Sequence, residues 1–216
     1  MPIEGGGAEA SLERVPGNNL REQIKNLNAD LTVANSRNTV PKLLESKAGV
    51  LVEESVKIDY TPIGKHMNGR GPTVLESGSA YSGNEELIYK WLYEDLKQHP
   101  PEIQKLLSLI LTEAKALRKM FPDKSLLSVK IRCWEGAKDG TQPEPLHQDG
   151  DPGIVRIIKI YQGPSTEFSN RDKTKIVSPP SGTLAVFKTG PKGPMHRRPG
   201  VSAGTYRVQL QLELAE

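Results

Sequence analysis

The chain of 216 residues has one cysteine, Cys133, and a lone thiol closes no internal disulfide. Without a Cys-x-x-Cys pair or a Cys/His cluster there is also no ligand set for structural zinc. A chain this long buries a core without such staples, and sparse cysteine suits a reducing compartment. Aromatic residues make up only 5%, which counts against a stacking platform for single-stranded nucleic acid. Charge of one sign is missing too. The 29 basic and 26 acidic residues leave a net charge of +3, mixed along the chain, with no basic stripe for a polyanion. No apolar run approaches the ~20 residues of a membrane span. The opening MPIEGGGAEASLERV lacks the apolar centre of a signal peptide. These absences lead to the expectation of a cytoplasmic protein acting on a small molecule, without membrane or nucleic-acid partners. Oligomeric state is not legible.

Residues 1–17 are Gly-rich and aperiodic and are expected to form a flexible lead. Residues 18–216 are expected to be a single domain, with helical and loop elaboration over 18–122 and a β core over 123–216. A helix is expected after Asn18 or Asn19, with Leu20, Ile24, Leu27 and Leu31 on one face. Short strands are expected at 49–52 and 56–58. The stretch 60–84, rich in Gly, Ser and Pro, shows neither period and reads as a loop, with a lid or a plain connection as alternatives. Asn84 caps a helix carrying Leu87, Ile88, Trp91, Leu92 and Leu96. Pro101 opens another, carrying Ile103, Leu106, Leu107, Ile110, Leu111, Ala114 and Leu117. Strands are then expected at 126–134, 154–161, 175–177, 183–188 and 206–214. In the last, Tyr206, Val208, Leu210, Leu212 and Leu214 alternate with Arg207, Gln209, Gln211 and Glu213, one face apolar and one polar. Helices followed by strands give an α+β class, with N-terminal helices packed on one side of a β-sandwich or jelly roll.

There are four histidines. His66 and His99 read as solvent-exposed residues or helix C-terminal partners. His147 and His196 differ in their neighbours. His147 and Asp149 stand two apart, and in extended chain both project to one side, within reach of one metal. Alone, the pair is equally a polar surface turn. His196 is the remaining histidine of the β region and supplies a third ligand. Two imidazoles and a carboxylate leave iron(II) with open positions for dioxygen and a chelating cosubstrate. Zinc hydrolases use similar ligands, so the residues alone leave the metal open.

His196 follows His147 by 49 residues, and Arg207 follows His196 by 11. That order and spacing resembles the iron(II)/2-oxoglutarate oxygenase superfamily, with its His-x-Asp, distal histidine and later basic residue. The run from Pro180 to Phe187, His196-Arg197 and Gly204-Thr205-Tyr206-Arg207 resemble its distal elements. The run from Arg132 to Gly136, followed by Leu146-His147-Gln148-Asp149, is similar to the AlkB-like branch. Tyr161-Gln162-Gly163-Pro164-Ser165-Thr166-Glu167 resembles the Tyr-x-Gly-Pro-x-Thr-Glu element of a little-characterised family within this fold. The resemblance covers about 126–214. It implies a double-stranded β-helix (jelly-roll) core with iron(II) on His147, Asp149 and His196, and with 2-oxoglutarate and dioxygen as cosubstrates. Arg207 would then grip the distal carboxylate of 2-oxoglutarate through two parallel hydrogen bonds. From alternation alone, Arg207 is equally an exposed residue of an edge strand. Many members carry Ser or Thr two residues after this arginine, where this chain has Gln209.

Arg132 and Trp134, Lys159 and Tyr161, Thr166, and Arg198 are further candidate contacts to substrate or cosubstrate, and each has a competing structural role. Thr166-Glu167 is expected to shape a turn near the metal. The expected activity is oxidation of a C–H bond in a small organic substrate, such as an amino acid or natural-product intermediate, coupled to 2-oxoglutarate decarboxylation. An AlkB-like nucleic-acid demethylase and a non-catalytic jelly-roll binding module are the alternatives.

Overall fold

The two-faced run at the C-terminus organises the molecule, because a strand apolar on one side and polar on the other must sit between two different environments. The computed structural model describes residues 12–14, 19–27, 31–45, 48–53, 58–136 and 140–215. In chain order these form β1 (Glu13–Arg14), α1 (Leu20–Leu27), β2 (Leu31–Val33), α2 (Val40–Leu43), β3 (Ala48–Val52), α3 (Thr61–Met67), β4 (Thr73–Glu76), α4 (Glu85–Leu96) and α5 (Pro101–Arg118). The strands β5 (Leu126–Glu135), β6 (Ile154–Gln162), β7 (Glu167–Ser169), β8 (Lys175–Val177), β9 (Thr183–Lys188), β10 (Met195–Arg197) and β11 (Tyr206–Ala215) follow. The class is α+β.

Among the described residues there are two sheets. One runs β2-β3-β9-β6-β11-β5-β4 and the other β1-β8-β7-β10. Pairing is antiparallel except for β1 with β8 and β2 with β3. Far from being an edge, β11 lies between β5 and β6. Its apolar residues Val208, Leu210, Leu212 and Leu214 join one core with Val129, Ile131, Val155, Ile157 and the helical residues Ile88, Leu92, Leu107, Ile110 and Leu111. A second core lies between the sheets, where Phe168 of β7 meets Phe187 of β9 edge-on with ring centroids 6.4 Å apart.

The helices form where caps and stripes place them. The Asn84 side chain accepts the Leu87 N–H at 3.1 Å, and α5 begins at Pro101, which needs no N–H partner there. In α4 the buried stripe is Ile88, Tyr89, Leu92 and Leu96, and Leu87 is exposed. Asn19 accepts the Glu22 N–H at 2.9 Å and starts α1, but Leu31 belongs to β2 and not to the helix face expected of it. The expected strand at 56–58 falls mainly outside the described residues, as does most of 1–17.

The stretch 60–84 is structured, which corrects its reading as a loop. α3 buries Ile63, Gly64 and Met67, β4 pairs with β5, and a 3-10 turn spans Ser79–Tyr81. Short elements of four to seven residues are too brief to display a period. Among the described residues, no helix is long and apolar enough to cross a membrane.

Candidate metal centre and adjoining cavity

His147 lies outside any strand, yet its backbone pairs with that of His196 in an isolated antiparallel bridge. The two N–H···O bonds measure 3.0 and 2.9 Å. This bridge sets the two rings side by side, with centroids 4.7 Å apart. Each imidazole uses Nδ1 in the same way. His147 Nδ1 lies 3.0 Å from the Pro145 carbonyl and His196 Nδ1 lies 3.0 Å from the Pro194 carbonyl. A carbonyl only accepts, so each Nδ1 carries a proton, and in the neutral imidazole Nε2 keeps the free lone pair. This is the outer contact that orients metal-ligating histidines.

Asp149 completes the cluster. Its Oδ1 is 4.0 Å from His147 Nε2, and its Oδ2 is 3.5 Å from His196 Nε2. One ligand atom from each residue lies within 4.8 Å of the others. Asp149 Oδ2 is buried and has no hydrogen-bond partner, which for a carboxylate oxygen carries a real cost. Burial holds the His196 imidazole below its usual range, against the opposing pull of Asp149, and so favours the neutral form that a metal needs. Two free imidazole nitrogens converging with an orphaned carboxylate oxygen fit a divalent first-row metal. His147 remains the open side, with 44% of its side chain exposed.

The cluster forms one wall of a cavity of ≈ 290 Å³. β11 turns its polar face into this space, which is why that face is buried and not solvated. Arg207 is 1% exposed. Its Nε donates to the Pro164 carbonyl at 2.8 Å, its Nη2 to Thr166 Oγ1 at 3.2 Å, and its Nη1 to Gln209 Oε1. The guanidinium also stands 5.0 Å from the centre of the Trp134 ring, and Arg198 approaches the same ring at 5.5 Å. Burial, and then the neighbouring Arg198, push the Arg207 guanidinium down from its ordinary value. Arginine nevertheless stays charged in proteins, so the site holds a cation whose cost a carboxylate ligand would offset.

The Tyr161–Glu167 element is the cradle of this arginine. Gly163 has φ +81°, and a Cβ there would lie 2.5 Å from the Tyr206 carbonyl and 2.9 Å from Arg207 Cα, so only glycine lets the turn close against β11. The next residues present the Pro164 carbonyl and the Thr166 hydroxyl to the guanidinium. Glu167 then binds Arg197 Nε at 2.7 Å. Thr166, in the turn just before β7, places its hydroxyl beside Arg207, and Gln209, two residues on in β11, accepts from the same guanidinium.

Of the candidate contacts, Arg132, Trp134, Thr166 and Arg198 line the cavity. Lys159 and Tyr161 do not. Lys159 is buried on the other face of β6, where its Nζ bonds to Glu53 and to the Gly182 carbonyl at 2.9 Å. Tyr161 packs against Tyr60 with ring centroids 5.1 Å apart. β6 is apolar on both faces, so alternation could not tell which of its polar residues faces inward. Arg156 is the polar residue of β6 that faces inward, beside Ile158. His66 and His99 lie far along the chain from this centre and pair with each other, Nε2 to Nδ1 at 3.1 Å.

Sequence reasoning missed Arg156, Lys130, Glu144 and the inward role of Gln209, Gln211 and Glu213. One usable signal was present: Pro-x-His occurs at both Pro145-Leu146-His147 and Pro194-Met195-His196, and the prolines supply the two orienting carbonyls. The cavity carries Lys130, Arg132, Arg156, Arg197, Arg198 and Arg207 against Glu144, Asp149 and Glu213. Among the described residues, Arg132 and Arg207 have no carboxylate partner, and Arg132 Nε is buried without a hydrogen bond.

No family model and no curated protein matches this chain. Solved structures resemble it at low identity. The viral collagen prolyl hydroxylase of Paramecium Bursaria Chlorella virus-1, in a 2OG complex, is 15% identical with a TM-score of 0.35, covering 55% of this chain and 76% of that one. The dioxygenase for auxin oxidation in rice is 12% identical with a TM-score of 0.42, covering 65% of this chain and 55% of that one. AviO1 from Streptomyces viridochromogenes Tue57 is 14% identical with a TM-score of 0.39, covering 56% and 64%.

Proposed function

We propose that the chain is a mononuclear non-haem iron(II) oxygenase that couples decarboxylation of 2-oxoglutarate to oxidation of a C–H bond in a small organic substrate. The domain would be a jelly roll over residues 18–216, in keeping with the two facing sheets. One observation carries the reading: a His147–Asp149–His196 cluster with its donor atoms free shares a cavity with a buried guanidinium that lacks a carboxylate. His147, Asp149 and His196 would hold the metal. Bound iron(II) would supply dioxygen activation and redox chemistry that no side chain offers.

The chain's own residues do the positioning. Arg207 and Thr166 would take the distal carboxylate of 2-oxoglutarate, and the Pro164 carbonyl and Gln209 hold the guanidinium in its plane. Trp134 covers the guanidinium and keeps water from it, which strengthens the pairing. Arg132, facing the same space without a carboxylate partner, favours a substrate that itself bears an acid group. The test is an anaerobic titration of iron(II) and 2-oxoglutarate, followed by a metabolite screen. A visible charge-transfer band, succinate release and a product heavier by ~16 or lighter by ~2 mass units are expected of this cofactor chemistry. Zinc binding with no band and no turnover would replace the oxygenase with a hydrolase or a binding module.

A further inference from the structure

The carboxylate of Asp149 is divided between two tasks. Its Oδ1 is ion-paired with Arg156 Nη1, whereas Oδ2 faces His196 Nε2 without a hydrogen-bond partner. Arg156 cannot easily let go. It stands opposite Glu213 across the β6–β11 pairing, and its Nη2 donates to Glu213 Oε1 at 2.7 Å. Glu213 is itself fixed by Ser128 Oγ at 2.7 Å and Gln211 Nε2 at 2.9 Å. The clamp is therefore built into the central strands of the larger sheet.

We infer that Arg156 is a positioning residue that restricts Asp149 to donating one oxygen to the metal. This rests on the metal-centre reading above. A carboxylate donating through both oxygens would fill one of the three positions that 2-oxoglutarate and dioxygen need between them. A guanidinium near a dication repels it, so the residue's presence is not explained by metal affinity alone. With Arg156 in place, the ligand set stays at three atoms.

The test separates metal binding from cosubstrate binding, using cobalt(II) as an air-stable probe. Arg156→Gln is expected to keep or tighten cobalt(II) binding, to shift the cobalt visible spectrum toward higher coordination, and to weaken 2-oxoglutarate binding roughly tenfold or more, the scale seen for outer-shell partners. Arg156→Lys, which keeps the charge and one donor, should recover part of the loss. Glu213→Gln should show a smaller change of the same kind, and serves as the second variant if Arg156→Gln folds poorly by circular dichroism. An unchanged cobalt spectrum in both Arg156→Gln and Glu213→Gln, or a loss of cobalt affinity in step with 2-oxoglutarate affinity, overturns the inference. If the wild type binds cobalt(II) but never responds to 2-oxoglutarate, the oxygenase reading fails. The cobalt spectra of the variants still decide the role of Arg156.

Discussion

At the scale of single residues, the candidate metal centre depends on atoms that have nothing else to bond. Both Nε2 atoms and Asp149 Oδ2 are in that state because Pro145, Pro194 and Arg156 occupy the other donor and acceptor positions. His196→Ala is expected to lower iron(II) affinity roughly 100-fold or more, above the ~10–100-fold typical of outer-shell changes. The fold should survive, since the helix-side core is untouched; equilibrium dialysis and circular dichroism check both halves. Arg207→Ala strands the carboxylate it would pair with. Loss of one member of a buried pair costs ~2–5 kcal/mol, so the 2-oxoglutarate requirement should rise roughly 30-fold or more at ~1.4 kcal/mol per tenfold. Arg207→Lys should restore only part, because an ammonium cannot fill both the Pro164 and Thr166 contacts. Normal turnover by Arg207→Ala would remove the residue from the cosubstrate site.

Elements carry their own tests. α3 presses Gly64 against the ring of Tyr206 at the start of β11, where a Cβ would lie 2.2 Å from ring atoms. In an open helix, Gly→Ala stabilises by up to ~1 kcal/mol. Here overpacking should reverse the sign, and Gly64→Ala is expected to destabilise by ~1–3 kcal/mol in urea unfolding. The segment containing α3 and β4 is held by Ile63 and Met67 in the core and by pairing with β5. Limited proteolysis across 60–84 should therefore be slow, and equally slow with or without metal and 2-oxoglutarate. Cleavage that slows only on ligand binding would restore the lid reading that the helix and strand replace.

Across the whole molecule, a second charged network ties the helices to the sheet on the side away from the cavity. Glu53, just after β3, accepts from Arg37 and from Lys159 of β6, and Arg37 also reaches Glu113 of α5. Burial pushes the Glu53 carboxyl up, but hydrogen bonds from Arg37 and Lys159 outweigh it and hold the carboxyl below its ordinary value. With the folded value depressed below ~4.3, the usual glutamate value, this stabilisation is complete above that pH and is lost as pH falls through the folded value. The urea midpoint should thus drop as pH is lowered from 5 toward 3, and Glu53→Gln should make that drop shallower. A slope identical in wild type and variant would show the network to be indifferent to protonation.

The residues by themselves determined the strands 175–177 and 183–188, both long helices with the Asn84 cap and the Pro101 start, the two faces of β11, and the order and spacing of His147, Asp149, His196 and Arg207. Period, capping and spacing are local, and they survive in a one-dimensional record. Only the tertiary structure decided which way the faces point. β6 is apolar on both sides, so nothing in its sequence distinguishes inward Arg156 from outward Lys159. Arg207 reads as surface or site until β11 is seen between β5 and β6, with its polar face enclosed. The pairing of His147 with His196 is a contact between segments far apart in the chain, and only their isolated backbone bridge places the rings together. For the same reason, the clamp from Glu213 through Arg156 to Asp149 is invisible until β6 and β11 lie side by side.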